Sequence, residues 1–363
     1  MQSEDLLDTN LPTDVTTSNK NRSRRTNLLI VLHGTAFVLG LGLLAAVMYW
    51  LGYRAILEAL SRVGWGFLPV IALNVARHFL RAFGLYLAVP PEQRNFKFRG
   101  AVAARFSGEA IGFLTVTGPF LGDATKALML KRHVSLTHSA SAVMIDNVLY
   151  YLSVLLLILA SVGGYVFYFA GNTNGTDRSV LWVIGVSSAV LIAVFVAAIS
   201  FRVTPFSRMI KMLVTRGFVP RFLLKMQEGV LNVETNVSQF YRQRRADFFT
   251  LFAIDSLVHV VSAFEVYLAL KLLGYDALFS TAFVIEGLTK VINVVFSFVP
   301  ATVGAYEGGN SVILVSLGYT AVVGVALALV RRVAITFSLF VGLAILLWRT
   351  VERGTKKLAE PTD

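Results

Sequence analysis

Long apolar stretches alternate with short polar segments along most of the chain. A helix needs about 20 apolar residues, within a range of roughly 17 to 25, to cross the hydrocarbon core of a bilayer. Several stretches reach this length, so the pattern predicts an all-α fold, a polytopic bundle of membrane helices. The predicted crossings are residues 28–51, 65–89, 139–170, 180–201, 248–273 and 320–348.

Two further apolar stretches, residues 101–121 and 277–319, are interrupted by glycine and proline. Basic clusters flank the first stretch on both sides, and such clusters stay on the cytoplasmic side of a membrane. Because the stretch is too short to cross twice, we predict a re-entrant helical hairpin that lines an internal cavity. The second stretch is predicted to form a related hairpin from the outer side. Three full crossings in the second half are the alternative, which leaves the helix count open by two.

The polar ends set the predicted domain boundaries. Residues 1–27 lack apolar periodicity and are predicted to be a disordered cytoplasmic tail, residues 28–349 the transmembrane domain, and residues 350–363 a second cytoplasmic tail. Inside the domain, the segment 202–247 is strongly basic, with nine Lys and Arg but only two acids between residues 202 and 245. We predict a basic amphipathic helix pair at the inner leaflet, which either binds anionic lipid or serves only as a solvated anchor.

The composition narrows the class of protein. Of the 363 residues, 56% are hydrophobic and 15% charged, whereas soluble domains carry about 25% charged residues, so an ordinary soluble enzyme is excluded. The net charge of +12 fits cytoplasmic loops that face anionic lipid, and no nucleic-acid partner is expected. The absence of cysteine excludes disulfides and thiol chemistry. These features predict a multi-pass protein of a bacterial-type inner (plasma) membrane, with both termini in the cytoplasm.

Ionisable side chains inside the apolar stretches are the best indicators of function, because such groups are costly in a membrane and mark pathways or binding sites. In the second predicted crossing, Asn74, Arg77, His78 and Arg81 share one helical face by their three- and four-residue spacing. Their cations require carboxylates or a bound phosphate. The candidate partners are Glu109, Asp123 and Asp146, and ion pairs that only hold the bundle together are the alternative.

The second half of the chain repeats this chemistry. Glu286 and Lys290 stand four residues apart in the favourable order for a helical ion pair. Further on lie Glu307 and the adjacent Arg331 and Arg332. Interrupted apolar segments at corresponding places in two halves indicate a transporter-like site. The shared order of acid, proline, glycine and acid is Glu109, Pro119, Gly122 and Asp123 in the first half, and Glu286, Pro300, Gly304 and Glu307 in the second.

Three strings, together with Arg331, resemble the lysylphosphatidylglycerol synthase transmembrane-region family, whose members are also called flippase-like domain proteins. They are residues 118–126 (GPFLGDATK), 142–146 (AVMID) and 300–307 (PATVGAYE). The family pattern in the first half has Glu where this chain has Asp123, and Arg where it has Lys126. An Arg that often follows the proline is replaced by Phe120.

The resemblance covers about residues 28–348 and implies a bundle with two inward-reaching hairpins that handles a lipid. In relatives this is an aminoacylated phospholipid that moves between leaflets. The full synthases carry a soluble aminoacyl-transfer domain, whereas 15 residues follow Trp348 here, so synthesis of the lysyl-lipid is not expected.

Three functions are compatible with the sequence. The first is a lipid translocase that binds a phospholipid or isoprenoid-phosphate head group, with no cofactor or metal. The second is a membrane transferase acting on a polyprenyl-phosphate or phospholipid substrate, for which Asp255 and His259 are the only close acid and histidine pair; a polar contact between helices is the other interpretation of these two. The third is an accessory lipid-binding protein. The predicted substrate-binding residues are Arg77, Arg81, Glu109, Gly122, Asp123, Lys126, Asp146, Glu286, Lys290, Pro300, Gly304, Glu307, Arg331 and Arg332.

Overall fold

A computed structural model describes residues 49, 53–115, 118–131, 133–169, 175–201, 204–216, 224–297 and 299–359. Within these ranges the chain forms twelve α-helices and no strand, which confirms the predicted all-α class. The predicted tail 1–27 and all but one residue of the predicted crossing 28–51 lie outside the described residues.

The helices follow one another with short connections, three of which contain 3-10 turns: Gly64–Gly66, Pro91–Gln93 and Pro300–Thr302. In chain order the helices are α1 (Tyr53–Ser61), α2 (Phe67–Ala88), α3 (Phe98–Leu114), α4 (Gly118–Leu130), α5 (Leu136–Phe169), α6 (Gly175–Phe201), α7 (Pro205–Thr215), α8 (Leu224–Gln243), α9 (Arg245–Leu272), α10 (Phe279–Val295), α11 (Ala305–Ser316) and α12 (Ala321–Ala359).

Five of these helices, α2, α5, α6, α9 and α12, are long and apolar enough to cross a membrane. They coincide with five of the six predicted crossings, and the sixth is the one outside the described residues. The last helix continues to Ala359, into the predicted tail 350–363. The protein is therefore a polytopic membrane bundle.

The remaining apolar helices form two hairpins. The first hairpin consists of α3 and α4, and its two ends meet where the rings of Phe96 and His133 stack with centroids 6.3 Å apart. The second hairpin consists of α10 and α11, and its ends meet where the rings of Tyr275 and Tyr319 lie 6.0 Å apart. Each hairpin thus starts and finishes at one end of the bundle.

The two hairpins enter the bundle from opposite ends. The first follows α2, and the C-terminal carbonyls of α2 are bonded by Arg244, which donates to Leu87 O at 2.6 Å at the start of α9. The second follows α9, whose last residue, Leu272, packs beside Gly66 at the start of α2. Because α2 and α9 are antiparallel, the end of α2 and the end of α9 lie at opposite ends of the bundle.

Close backbone approach holds the first hairpin together. A Cβ atom on Gly122 would lie 2.6 Å from the carbonyl oxygen of Gly108, and one on Gly118 would collide with the carbonyl oxygen of Gly112. Only glycine allows two helices to pack at this distance. The glycines of this stretch therefore lie at the contact between α3 and α4.

The second hairpin turns through an unusual backbone. Ala301 and Thr302 adopt left-handed conformations with φ of 54° and 49°, and Gly304 follows with φ of 78°. A left-handed conformation costs a residue with a Cβ about 1 to 2 kcal/mol, so the surrounding contacts must hold this turn in place.

The basic segment between α6 and α9 forms two helices, as predicted. Both carboxylate oxygens of Glu234 on α8 accept backbone N–H groups at the start of α7, from Phe206 at 2.9 Å and Ser207 at 3.2 Å. α7 exposes Met209 and Met212, which suits the predicted amphipathic character. Contact of this pair with the inner leaflet stays a prediction.

Two apolar cores occupy the two ends of the bundle and leave a polar layer between them. Along α2, Val70 belongs to one core and Leu85 to the other. Asn74, Arg77 and Arg81 lie between them on the same helix, and the same order recurs along α9. The candidate site occupies this layer.

Candidate functional site

A cavity of about 370 Å³ lies in the polar layer. It is lined by residues of α2, α3, α4, α5, α9, α10, α11 and α12, and the turns of both hairpins reach it. Thr115 contributes from the first turn, and Ala301 and Thr302 from the second. The cavity is therefore the place where the two hairpins meet.

Fourteen charged side chains form ion pairs in and around the cavity, and we call this set the charge network. It contains seven cations and seven carboxylates. The cations are Arg77, Arg81, Arg105, Lys126, Lys290, Arg331 and Arg332, and the carboxylates are Glu109, Asp123, Asp146, Asp255, Glu265, Glu286 and Glu307.

The two signs of charge are arranged differently around the cavity. All seven cations line it, but only two of the carboxylates, Glu109 and Asp123, do so. The other five carboxylates are fully buried and lie behind the cations. The wall that a ligand meets is consequently rich in cations, while the buried acids offset the cost of holding those cations in a low dielectric.

Arg81 is the centre of one cluster in the network. Its guanidinium pairs with Asp255 on α9 at 2.5 Å and with Asp146 on α5 at 2.9 Å. The same group lies 4.1 Å from the ring centroid of Tyr150, a cation–π contact. Three helices are thereby joined around one buried cation.

A second cluster links α2, α9, α10 and α12. Glu265 on α9 accepts from Arg331 on α12 at 3.1 Å and lies 3.5 Å from Arg77 on α2. Arg331 also pairs with Glu286 on α10 at 2.8 Å, and Glu286 pairs with Lys290 one turn later at 2.7 Å. The ion pairs form a continuous chain of alternating charge across the bundle.

The turn of the second hairpin is anchored by Glu307 and Arg332. Glu307 accepts the backbone N–H of Gly304 at 2.8 Å and pairs with Arg332 Nε at 2.5 Å. Arg332 also donates to the carbonyl oxygen of Ala301 at 3.0 Å. These bonds hold the left-handed backbone of the turn against α12.

The first hairpin keeps its ion pairs within its own helices. Arg105 pairs with Glu109 at 3.0 Å along α3, and Lys126 pairs with Asp123 at 2.9 Å along α4. Asp123 also accepts the side-chain N–H of Asn147 on α5 at 2.6 Å. Both carboxylates face the cavity, with 46% of the Glu109 side chain and 32% of the Asp123 side chain exposed.

Some buried polar atoms of the cavity wall have no hydrogen-bond partner among the described residues. On the lining side chains they are Asn74 Nδ2, Arg81 Nε, Arg105 Nε, Arg331 Nη1 and Arg332 Nη2, and on the acids behind the wall they include Asp146 Oδ1 and Asp255 Oδ2. These atoms have almost no accessible surface, so a ligand meets the cationic side chains that line the cavity and not these atoms. A wall of cations suits an anionic ligand rich in acceptor oxygens.

The structure brings most of the predicted site residues to the cavity. Nine of the predicted substrate-binding residues line it directly, and they are Arg77, Arg81, Glu109, Gly122, Asp123, Lys126, Lys290, Arg331 and Arg332. Asp146, Glu286 and Glu307 lie behind that wall. Pro300 and Gly304 shape the second turn.

The ion pairs predicted between the cations of α2 and three carboxylates are wrong in part. Asp146 does pair with Arg81, but Glu109 and Asp123 pair with Arg105 and Lys126 of their own helices instead of with the cations of α2. Neighbours one helical turn away reach these carboxylates at less entropic cost than a cation on another helix.

Sequence reasoning missed two members of the network, Arg105 and Glu265. Both are ionisable residues inside apolar helices, so the rule that selected the other candidates also applies to them. Asp255 and His259 are not bonded to each other: Asp255 pairs with Arg81, and His259 contacts the Ser153 hydroxyl at 3.0 Å. They make polar contacts between helices, the second of the two interpretations. Within the described part of the chain, no three His, Cys, Asp or Glu side chains are grouped as a metal site would require.

A family model described as lysylphosphatidylglycerol synthase TM region matches residues 37–342. No curated protein and no solved structure gives a significant match.

Proposed function

The chain belongs to the lysylphosphatidylglycerol synthase TM region family, and from this premise we propose that it is a lipid translocase that binds a phosphate-containing head group in its cavity. The observation that carries the proposal is the set of seven cationic side chains that line the cavity. A phosphate offers several acceptor oxygens, and guanidinium groups bind it through charge-assisted, bidentate hydrogen bonds. Family membership supports a lipid as the molecule that carries this phosphate.

The arrangement of the two hairpins supports transport. Each hairpin begins and ends at one end of the bundle, the two ends are opposite, and both hairpins line the cavity. We propose that both are re-entrant in the membrane, because transporters place their sites near the midplane, at the junction of two such interrupted segments. In this proposal a head group held in the cavity lies between the two leaflets, while its acyl chains stay in the surrounding lipid.

The buried acids keep the binding wall ready for a ligand. Cations in a membrane interior are stable only when they are paired, and the five buried carboxylates supply those pairs from behind. Arg77, Arg81, Arg331 and Arg332 therefore keep their charge and orientation in the cavity wall. We propose transport rather than catalysis as the role of this wall, since Asp255 and His259, the candidate catalytic pair, are bonded to other helices.

Leaflet exchange of a tail-labelled phospholipid in proteoliposomes tests the proposal. The variant Arg331→Lys keeps a cation near Glu265 and Glu286 but removes the planar guanidinium that can bind a phosphate through two parallel hydrogen bonds. We expect wild-type protein to accelerate exchange over empty liposomes, and the variant to slow that exchange by about tenfold, the effect of one lost charge-assisted hydrogen bond.

Arg62→Lys is the matched control, because Arg62 makes a similar ion pair with Glu58 at 3.0 Å on the exposed surface of the protein. This variant is expected to behave as wild type. Equal amounts of folded protein are established by size-exclusion chromatography and the thermal unfolding midpoint. Exchange that is the same in wild type, Arg331→Lys and empty liposomes contradicts the proposal.

A further inference from the structure

The cluster around Arg81 contains more acid than base. Arg81 pairs with Asp255 at 2.5 Å and with Asp146 at 2.9 Å, and among the described residues no second cation pairs with either carboxylate. All three side chains are buried, with at most 3% exposed. With both acids ionised, the cluster carries one excess negative charge, which is unfavourable in a low-dielectric interior.

Each of these two acids keeps one oxygen without a partner. Asp146 Oδ1 and Asp255 Oδ2 are buried and accept no hydrogen bond from the described residues. The other three buried carboxylates of the charge network, Glu265, Glu286 and Glu307, use both oxygens in ion pairs or in a backbone hydrogen bond. Asp146 and Asp255, which we call the acid pair, are therefore the buried acids of the network that can accept a proton without losing a bond.

An incoming anion changes the charge of the network. Its seven cations and seven carboxylates balance before a ligand enters. A phosphodiester head group adds one negative charge to this balanced set. Uptake of one proton by the acid pair restores the balance, and a carboxylate beside another carboxylate accepts a proton more readily than one that is alone.

Other groups around the acid pair are less suitable acceptors. The titratable groups one helical turn from the cluster are His78 on α2, Tyr150 on α5 and His259 on α9. The remaining cations of the charge network, on α2, α3, α4, α10 and α12, complete its surroundings, and each has an acid partner of its own. A proton on either histidine adds a buried cation beside Arg81, whereas a proton on the acid pair removes a buried anion.

We propose that the acid pair is a proton-binding site, and that it takes up one proton when an anionic head group enters the cavity. The proton comes from the aqueous phase, adds to Asp146 Oδ1 or Asp255 Oδ2, and returns to water when the head group leaves. Arg81 and Tyr150 line the cavity next to the acid pair, so one layer of side chains separates the pair from the cavity. This inference rests on the proposed function and adds a coupled ion to it.

The test is isothermal titration calorimetry of the detergent-solubilised protein with a short-chain, ether-linked phosphatidylglycerol, at several values between about pH 6 and pH 8. Each titration is repeated in buffers with different heats of ionisation. The dependence of the measured heat on the buffer gives the number of protons taken up with each lipid. For wild-type protein we expect an uptake of about one proton per bound lipid at its maximum.

The variant Asp255→Asn places a neutral amide where the protonated acid would be, and the amide oxygen can still accept from Arg81. We expect this variant to bind the lipid without proton uptake. Asp276→Asn is the matched control, because the Asp276 side chain is 96% exposed and pairs with Lys271 outside the cavity. It should take up as many protons as wild type.

Leaflet exchange of tail-labelled phosphatidylglycerol in proteoliposomes provides a second measurement. The exchange rate of wild-type protein should fall as the pH rises, by at most about tenfold per pH unit for one proton, because the proton that accompanies binding becomes scarcer. The rate in Asp255→Asn should not depend on pH in this way, and Asp276→Asn should follow wild type.

An infrared difference spectrum of wild-type protein with and without the ether-linked lipid needs no variant, so it remains decisive if Asp255→Asn folds poorly. A protonated carboxyl group gives a C=O band that neither a carboxylate nor a histidine gives, and the lipid has no ester C=O group. We expect this band to appear when the lipid binds.

Two results overturn the inference while the proposed function stands. One is lipid binding by wild-type protein without proton uptake or without the carboxyl band. The other is proton uptake that is unchanged in Asp255→Asn, which assigns the proton to another group such as a histidine. If wild-type protein neither binds the lipid nor accelerates its exchange over empty liposomes, the proposed function itself is wrong, and the inference falls with it.

Discussion

The two hairpins line one cavity but differ in how far charge holds them in the bundle. Each packs closely against α12 through a glycine: a Cβ on Gly342 would collide with the carbonyl oxygen of Phe106 on the first hairpin, and one on Gly324 would lie 2.6 Å from the carbonyl oxygen of Asn310 on the second. The second hairpin is also fixed by charge, since its acids Glu286 and Glu307 are fully buried and pair with arginines of α12. The ion pairs of the first hairpin stay within its own helices.

The difference separates two roles of the acids, one structural and one at the cavity surface. Buried acids that pair with the cations from behind serve a structural role and cannot contact a ligand. Because packing already secures the first hairpin, its carboxylates remain at the cavity surface. The second hairpin carries acids that hold cations of the cavity wall, and the first carries the carboxylates that line the cavity itself.

The largest expected effect is on the free energy of unfolding, and it distinguishes one acid of the second hairpin from one acid of the first. Glu286→Ala leaves Lys290 without its ion-pair partner and Arg331 with Glu265 alone, and we expect it to lower the free energy of unfolding by about 3 to 5 kcal/mol. Glu109→Ala removes a half-exposed partner of Arg105, and we expect a loss of at most about 1 kcal/mol. Unfolding in mixed micelles of increasing SDS fraction measures both.

Glu58→Ala, which removes an exposed acid of the same kind, serves as the reference and should stay within about 0.5 kcal/mol of wild type. The comparison of the hairpins breaks down if Glu109→Ala destabilises as strongly as Glu286→Ala. In that case the first hairpin also depends on charge for its position.

Much of the fold could be predicted because its signals are local. An apolar run of sufficient length specifies a crossing helix wherever it occurs, and glycine with proline marks the hairpin turns at both predicted places. The Glu286 and Lys290 pair also follows from local spacing, since both residues lie on one helix.

The pairing of charges on different helices could not be predicted. Arg81 and Asp255 are 174 residues apart, and they meet only because α2 and α9 run antiparallel in the bundle. That every cation faces the cavity while most acids lie behind also depends on how the helices rotate against one another. Helix propensity and hydrophobic periodicity do not predict how a helix is rotated about its axis when it carries polar side chains on several faces.

A second comparison tests the packing of the hairpins with matched glycines. In Gly118→Ala the new methyl group meets the carbonyl oxygen of Gly112, and we expect a loss of about 2 to 3 kcal/mol as the two helices separate. Gly308 on the second hairpin has no atom within 4 Å of an added Cβ. Gly308→Ala should therefore be neutral or stabilise by up to about 1 kcal/mol through helix propensity.

The same micelle unfolding assay measures the stability of Gly118→Ala and Gly308→Ala. If the hairpins are held as described, exchange of lipid should also fall in Gly118→Ala, because the Gly122 end of the cavity wall moves. Equal stability of the two variants means that the first hairpin tolerates a wider helix spacing, and backbone packing is then not what secures it.

The smallest expected effect lies in the turn of the second hairpin. Ala301→Gly relieves a left-handed backbone conformation that costs about 1 to 2 kcal/mol for alanine. Glycine adds about 0.5 to 1 kcal/mol of conformational entropy to the unfolded chain. We expect a net stabilisation of about 0.5 to 1 kcal/mol from these two effects, measured as a higher unfolding midpoint.

The reference for this change is Ala253→Gly, at an exposed helical position of α9, where the same substitution should lower stability by about 1 kcal/mol. Stability changes of opposite sign for the two substitutions indicate that the ion pair of Glu307 and Arg332 holds the turn under strain. Equal losses at both positions indicate instead that the turn is relaxed in the membrane. The charges of the second hairpin would then only join it to α12, without imposing a conformation on its turn.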